Sequence, residues 1–326
     1  MIGYLARRLA LSAATLLLIT MAVYAAARLA PGDPVDGESG MPAAASSWAR
    51  NRHMLDSVPM GYARWLAGLA RLDLGVSIGV SPGRPVASLV ADALPYTLAL
   101  GVLSFLLTLS VALPLGILSA WQPRSVAARG ATAALYAMDA LPVFWIALAL
   151  QGLFASRLGW LPVLFAGPAE GSVGLAGLPG RAPYWILPTL AITLGSLAFV
   201  IRFCRASLLE ELGEPYTQAA RARGAGELRV VTRHALANTG VPLLSLAGMT
   251  LPGIVSGSIL VESIFALPGV GRLLFSAAEW RDYPVVLAVT LLAALATLAA
   301  SLVADLLYRV ADPRITIHES PEVAPE

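Results

Sequence analysis

The chain has 326 residues, 57% hydrophobic and 13% charged, with a mean hydropathy of +0.74 and a net charge of +2. Soluble domains carry about 25% charged residues, so the composition points to an integral membrane protein, and the small net charge gives no electrostatic footprint for nucleic acid. All 22 basic residues are arginine, which excludes a Walker A lysine, a Schiff-base lysine and a Ser–Lys dyad, while one cysteine (Cys204) and three histidines (His53, His234, His318) leave neither an intrachain disulfide nor a Cys/His zinc pattern.

A membrane span needs about 20 apolar residues. Uncharged runs of that size occur at 9–27, 93–123, 184–201, 240–261 and 284–304, and a sixth, 131–155, is broken only by Asp139. The first run follows Arg7-Arg8 and imitates a secretory signal, but its 19 residues exceed a signal core of roughly 7–15, so it is expected to remain as a span. The expected fold is an all-α membrane protein with six transmembrane helices and both termini on one side.

Residues 1–30 form the N-terminal tail and first helix. Residues 31–92, rich in Pro, Gly and small residues, form a short extracytoplasmic cap with a helical piece around Tyr62–Leu72, too small for an independent enzyme domain. Residues 93–314 carry the other five helices and the loop 202–239, and 315–326 are a C-terminal tail. With the N-terminus inside, the inner segments 1–8, 122–130, 202–239 and 309–326 hold 12 arginines in about 73 residues, against four in about 50 for the outer loops 156–183 and 262–283. Arginine-rich loops stay cytoplasmic, so both termini are expected inside.

Few polar groups interrupt the spans. Asp139 lies in the third, where a carboxylate costs about 2.5–3.5 kcal/mol on insertion scales, so it should face the bundle interior or a water-filled path, as a path residue or a structural hydrogen-bonding group. Glu262 and Asp305 stand at span ends, and Glu262 on the outer side is a candidate for the path or for a partner. Gly253-Ile-Val-Ser-Gly257 is a small-residue face, whose plain reading is helix packing and whose alternative is a place along the path. Pro114, Pro142, Pro188 and Pro252 are expected to kink their helices. Trp145, Trp160, Trp185 and Trp280 are expected to anchor at the membrane interface.

The loop after the fourth span is patterned. Gly213 suits a helix end, and Glu214-Pro215 suits a helix start, because proline fits the first helical position and an acid favours the N-terminal dipole. Gly224 and Gly226 then end a helix of two or three turns and permit a reversal. Ala219 and Ala220 give that helix a close-packing face, and Arg221 and Arg223 offer charge to a partner. A further helix from Glu227 would return to the membrane through Val230, Val231 and Leu236. Taken alone, the segment is equally a solvated connector.

Its wording adds more. Gln218-Ala219-Ala220-x-x-x-Gly224, followed by His234-x-Leu236, resembles the EAA loop of bacterial ABC-importer permeases. The branch that handles dipeptides, oligopeptides and nickel is closer still, through Tyr216-Thr-Gln-Ala-Ala-Arg-Ala-Arg-Gly224 and Arg233-His-Ala-Leu-Ala-Asn238. The same branch is similar at Leu29-Ala-Pro-Gly-Asp-Pro34, Asp73-Leu-Gly75, Gly83-Arg-Pro-Val86, Leu158-Gly-Trp-Leu-Pro162, Leu267-Pro-Gly-Val-Gly271, Arg281-Asp-Tyr-Pro284 and Asp312-Pro-Arg314. The chain departs from the pattern at Gln218, where the general motif has Glu, at Ala237, where it has Pro, and at Asp139, where a small or apolar residue is expected.

The resemblance implies the type I ABC importer permease fold in a bacterial cytoplasmic membrane. It implies that Tyr216, Gln218, Ala219, Ala220, Arg221, Arg223, Gly224, His234 and Leu236 form the coupling element, which docks into a cleft of an ATPase subunit. Asp139, Glu262, Gly253 and Gly257 are the candidates for the translocation path. The implied partners are a second homologous permease, two cytoplasmic ABC ATPases, an extracytoplasmic substrate-binding protein and the lipid bilayer. No cofactor is expected on this chain, and ATP and Mg belong to the ATPases, which agrees with the missing lysine. The implied substrates are di- or oligopeptides, or a related small solute such as a nickel chelate.

Two other readings compete. A proton-coupled secondary transporter would work through Asp139, Glu262 or Asp305, but the carboxylates are sparse and no inverted repeat is visible. An intramembrane protease would need a base beside Ser196 or Ser258, and no span contains a histidine. Under the importer reading, a bulky or charged replacement at Ala220 or Gly224 is expected to uncouple ATP hydrolysis from transport, measured as ATPase activity against uptake in reconstituted vesicles.

Overall fold

Long uncharged runs have one stable form in a membrane, because lipid offers no partner for backbone N–H and C=O groups and a helix satisfies them internally. The computed structural model of the chain describes residues 2–29, 56–122, 140–166, 182–240 and 258–311, with isolated positions within 126–133 and 242–254. Asp139, Gly257 and the side chain of Asp305 lie outside the described residues.

Among the described residues, four helices are long and apolar enough to cross a bilayer. They lie within α1 (Ile2–Leu29), α3 (Val86–Trp121), α5 (Ala182–Gly213) and α11 (Tyr283–Ala311). Between them come α2 (Val58–Leu69), α4 (Val143–Leu150), α6 (Pro215–Ala222), α7 (Glu227–Arg229), α8 (Leu236–Asn238), α9 (Ile259–Ile264) and α10 (Val270–Glu279). The third and fifth expected spans, 131–155 and 240–261, fall partly outside the described residues, so six spans stays an expectation. Pro142 does not kink a helix here; it caps the start of α4, which continues through the wider π turns Gln151–Arg157. Pro188 remains inside α5.

The chain divides into two compact units. The first comprises Met1–Thr108, Asp139–Ser196 and Pro252–Leu298, and the second Leu109–Met138, Leu197–Leu251 and Ala299–Glu326. In the first unit, Leu100, Ala147, Trp185, Leu187, Val261 and Phe265 belong to one buried cluster. Trp185 is therefore no interface anchor: it is 5% exposed and stacks on Tyr96 with centroids 6.3 Å apart, whereas Trp145, Trp160 and Trp280 are exposed. The cap helix runs over 58–69 rather than to Leu72, whose positive φ of 60° breaks the helical path. It lies against α1, where the Tyr62 hydroxyl meets Thr20 Oγ1 at 2.9 Å and the Tyr62 and Trp65 rings stack.

Two buried acids fix the first unit's non-helical backbone. Glu262 is 0% exposed. Its Oε1 accepts from Thr97 Oγ1 at 3.0 Å and its Oε2 from the Arg272 amide at 3.0 Å, while Thr97 Oγ1 also accepts from the Val270 amide at 2.7 Å. A carboxylate from α9 thus occupies the first turn of α10, where a helix exposes unpaired N–H groups and a partial positive charge. Asp282, also 0% exposed, does the same for a loop. Its Oδ2 accepts from the Ser77 hydroxyl and from the amides of Ile78, Gly79 and Val80, at 3.2, 3.0 and 3.0 Å. In the second unit, Gly116 lets two helices approach: a Cβ there would lie 2.8 Å from Cys204 Cβ.

Asp282→Ala strands one hydroxyl and three amides, and each buried unpaired donor costs about 1–3 kcal/mol. The melting temperature of the detergent-purified protein is expected to fall by about 10 °C. An unchanged melting curve by differential scanning fluorimetry would refute the clamp.

Candidate functional site

At about 1.5 Å per residue α5 is roughly 48 Å long, well beyond a hydrocarbon core of about 30 Å. Its last turns leave the apolar stretch, pass Glu210 and Glu211, and stop at Gly213. A helix end leaves carbonyls without intrahelical donors. The next eight residues supply them. Thr217 Oγ1 donates to the Leu212 and Glu214 carbonyls at 2.9 and 2.7 Å, sharing its single proton. Arg221 Nη1 reaches the same Leu212 carbonyl at 3.2 Å, and Gln218 Nε2 reaches the Gly213 carbonyl at 3.0 Å. The amide of Gln218 donates here, which the glutamate of the general motif cannot do when ionised.

α6 begins as the sequence suggests, with Glu214 extended (φ −68°, ψ 149°) and Pro215 in the first turn. It ends at Gly224, whose φ of +84° is the left-handed value that favours glycine. There the Gly224 and Ala225 amides donate to the carbonyls of Arg221 and Ala220, at 2.9 and 3.1 Å. Gly226 has φ −64° and caps α7, so only the first of the two glycines is conformationally required. Arg221 spans this turn to grip Glu227, with Nε–Oε1 at 2.8 Å and Nη2–Oε2 at 3.4 Å. Tyr216 donates its phenol proton to Glu211. Burial pushes the Tyr216 pKa up, with the Glu211 hydrogen bond and charge adding to it against an opposing Asn238 contact, so the phenol stays protonated at neutral pH.

The return leg is not a plain α-helix. After α7 the chain widens into π turns over Val230–Ala235 and reverts at α8. Val230, Val231 and Ala235 are buried. Val231 and Ala235 join Ala120 and Leu208 in the second unit's core, with Ile117, Trp121 and Leu212 packed around them. The loop is thereby seated at its base and tied along its length.

The predicted coupling residues sort by exposure. Gln218, Ala219, Arg223 and Gly224 are exposed. Tyr216, Arg221, His234 and Leu236 are half-buried. Ala220 is 2% exposed and faces the loop's own interior. The close-packing face read from two alanines therefore reduces to Ala219, and Arg221 is already engaged by Glu227 and Leu212. Arg223 is the cation of α6 with no ion-pair partner among the described residues. The roles of Thr217 as a cap and of Glu227 as the partner of Arg221 are not evident from the sequence, which places Glu227 only as a helix start. A threonine four residues past a helix stop, and an acid six residues past an arginine across a glycine turn, are the signals that could have found them. Of the path candidates, Glu262 has its carboxylate wholly engaged in the α10 clamp. Gly253 has nothing within 4 Å of a Cβ position, and Asp139 and Gly257 lie outside the described residues.

Residues 112–317 match the family "Binding-protein-dependent transport system inner membrane component". The chain is 34% identical over 319 residues to the oligopeptide transport system permease protein AppB of Bacillus subtilis, covering 97% of this chain and 99% of that protein. It is 33% identical to the probable peptide ABC transporter permease protein y4tP of Sinorhizobium fredii, covering 96% and 98%. Against the dipeptide transport system permease protein DppB of Alkalihalophilus pseudofirmus the identity is 30%, covering 97% and 99%. Among solved structures, an inward-facing MetNI methionine ABC transporter chain superposes with a TM-score of 0.53 at 19% identity, covering 69% of this chain and 97% of that one. That likeness shows a shared fold.

Thr217→Val keeps the shape and removes the shared cap. The expected cost is about 1 kcal/mol, seen as roughly fivefold faster amide exchange across 215–223 with exchange elsewhere unaltered. Equal protection in both proteins would show that the cap does not hold α6.

Proposed function

The chain belongs to the family of binding-protein-dependent transport system inner membrane components, and on that premise we propose that it is one permease subunit of an ATP-driven importer of short peptides, coupled to its ATPases through α6. The observation that carries the coupling role is the bolted joint itself. An eight-residue helix is too short to persist alone, yet side-chain caps tie it to the last carbonyls of α5. A push on its exposed face is therefore passed to a helix long enough to cross the membrane.

In this reading Ala219, Ala222 and Arg223 meet an ATPase subunit on the cytoplasmic side, while Thr217, Gln218, Arg221 and Glu227 keep α6 in register. His234 and Leu236, on the return leg, support the joint. The chain carries six spans with both termini inside, as the arginine distribution favours. It works beside a second permease and with an extracytoplasmic binding protein, and ATP and Mg are held by two ATPases rather than by this chain. The peptide substrate is supported by the names of three relatives matched end to end. No observation favours the proton-coupled alternative.

Two measurements test this. Mild-detergent purification followed by mass spectrometry is expected to recover an ATPase and a second permease, and purification of the chain without either overturns the proposal. In the assembled transporter, Ala219→Trp overfills the outward face of α6, and overpacking by about 1–3 kcal/mol corresponds to a loss of about tenfold or more in ATP hydrolysis stimulated by loaded binding protein. Ala220→Trp, expected from the sequence alone to uncouple hydrolysis from transport, should instead damage the loop and lower the yield of assembled complex, because Ala220 is buried. Full stimulation in the Ala219 variant would sink the role given to α6.

A further inference from the structure

A cleft of about 380 Å³ opens on the first unit, walled by the first turns of α3, by α10 and by the loop that Asp282 clamps. Leu89 and Tyr96 from α3 and Leu273 from α10 give it an apolar lining, and Arg84, Asp92 and Arg272 bring three charges to it. Its walls are held before any ligand arrives. The Tyr96 ring is stacked on Trp185 and meets the edge of Phe165 with centroids 5.8 Å apart. The Arg272 amide is fixed to Glu262, and the loop carrying Val80 hangs from Asp282. Such preorganisation lowers the cost of binding.

The charges are unevenly committed. Arg84 and Asp92 form an ion pair with each other. Arg272 gives one N–H to the Ala266 carbonyl at 2.6 Å, and its other guanidinium donors have no protein partner among the described residues. The cleft is thus net positive, with one free planar cation beside an apolar pocket. A guanidinium fork matches a carboxylate, and ligand clefts of about 300–1,000 Å³ hold small molecules, so this one fits one or two amino-acid residues.

We propose that this cleft binds the C-terminal carboxylate of a short peptide on Arg272, with the peptide's last apolar side chain against Leu89, Tyr96 and Leu273. The site rests on the peptide-import reading above for its ligand, and on the assignment of 31–92 and 262–283 to the outer side for its access. It gives the permease a peptide contact of its own, separate from the binding protein. Asp92 is occupied by Arg84, so the peptide's amine is not read here. An acidic side chain of the binding protein would offer the same carboxylate, and the test separates the two sources.

The test uses the assembled transporter in lipid nanodiscs without binding protein, with alanyl-phenylalanine as the probe and saturation-transfer NMR as the readout. The wild type is expected to bind at millimolar concentration. Arg272→Gln and, separately, C-terminal amidation of the probe should each weaken binding about tenfold or more, the scale of a charge-assisted hydrogen bond. Leu273→Trp, which fills the cleft and leaves every charge in place, should also abolish the signal if Arg272→Gln fails to assemble. Asp92→Asn, which releases Arg84, should leave binding equal or tighter. Absent saturation transfer in the wild type, or equal binding of acid and amide, overturns the site. Loss of binding-protein affinity in Arg272→Gln without a peptide signal in the wild type also overturns it, in favour of a protein carboxylate. Peptide uptake with binding protein, measured in parallel, separates the two claims: binding without uptake fails the importer reading alone, and uptake without binding fails the cleft alone.

Discussion

Every part of this chain is shaped by one constraint: a backbone N–H or C=O that leaves water must find another partner. Within the apolar runs the α-helix answers it internally. Where helices stop, side chains take over, and those positions are where the informative structure lies. Glu262 closes the first turn of α10, Asp282 closes the loop 77–81, and Thr217, Gln218 and Arg221 close the end of α5.

The same residues divide the labour between rigidity and contact. Arg221 and Arg223 are two positions apart and look alike in the sequence, yet one is folded into the loop and the other is left outside. Ala219 and Ala220 split in the same manner. A helix of eight residues shows only one face to a partner, and the opposite face is needed to hold it to the chain. The cleft repeats the pattern, since Arg84 is spent on Asp92 while Arg272 gives one N–H to Ala266 and keeps the rest of its guanidinium donors.

Much of this was legible beforehand, because composition and periodicity report burial directly. The long apolar runs gave the helices, and Gly213, Pro215 and Gly224 punctuated the loop, with Gly224 at the one position whose left-handed φ requires glycine. What escaped were contacts between distant residues. Trp185 reads like an interfacial tryptophan until Tyr96 is brought alongside, and nothing near Glu262 in the chain announces that Thr97 will meet it. Asp282 sits inside Arg281-Asp-Tyr-Pro284, a segment that carries no local sign of the distant loop it holds. The π turns at Val230–Ala235 also left no trace, since a wider helical turn carries no compositional mark of its own.

The clamps differ in how much chain must exist before they can close. Thr217 and Arg221 reach back five and nine residues to Leu212, so the joint beneath α6 can set as soon as that short stretch has left the ribosome. Glu262 reaches back 165 residues to Thr97, and Asp282 205 residues to Ser77, and neither can form until most of the polypeptide is made and inserted. Contacts this remote are slow to find. The joint beneath α6 can accordingly set while the last third of the chain is still being made, and the clamps of Glu262 and Asp282 close after it.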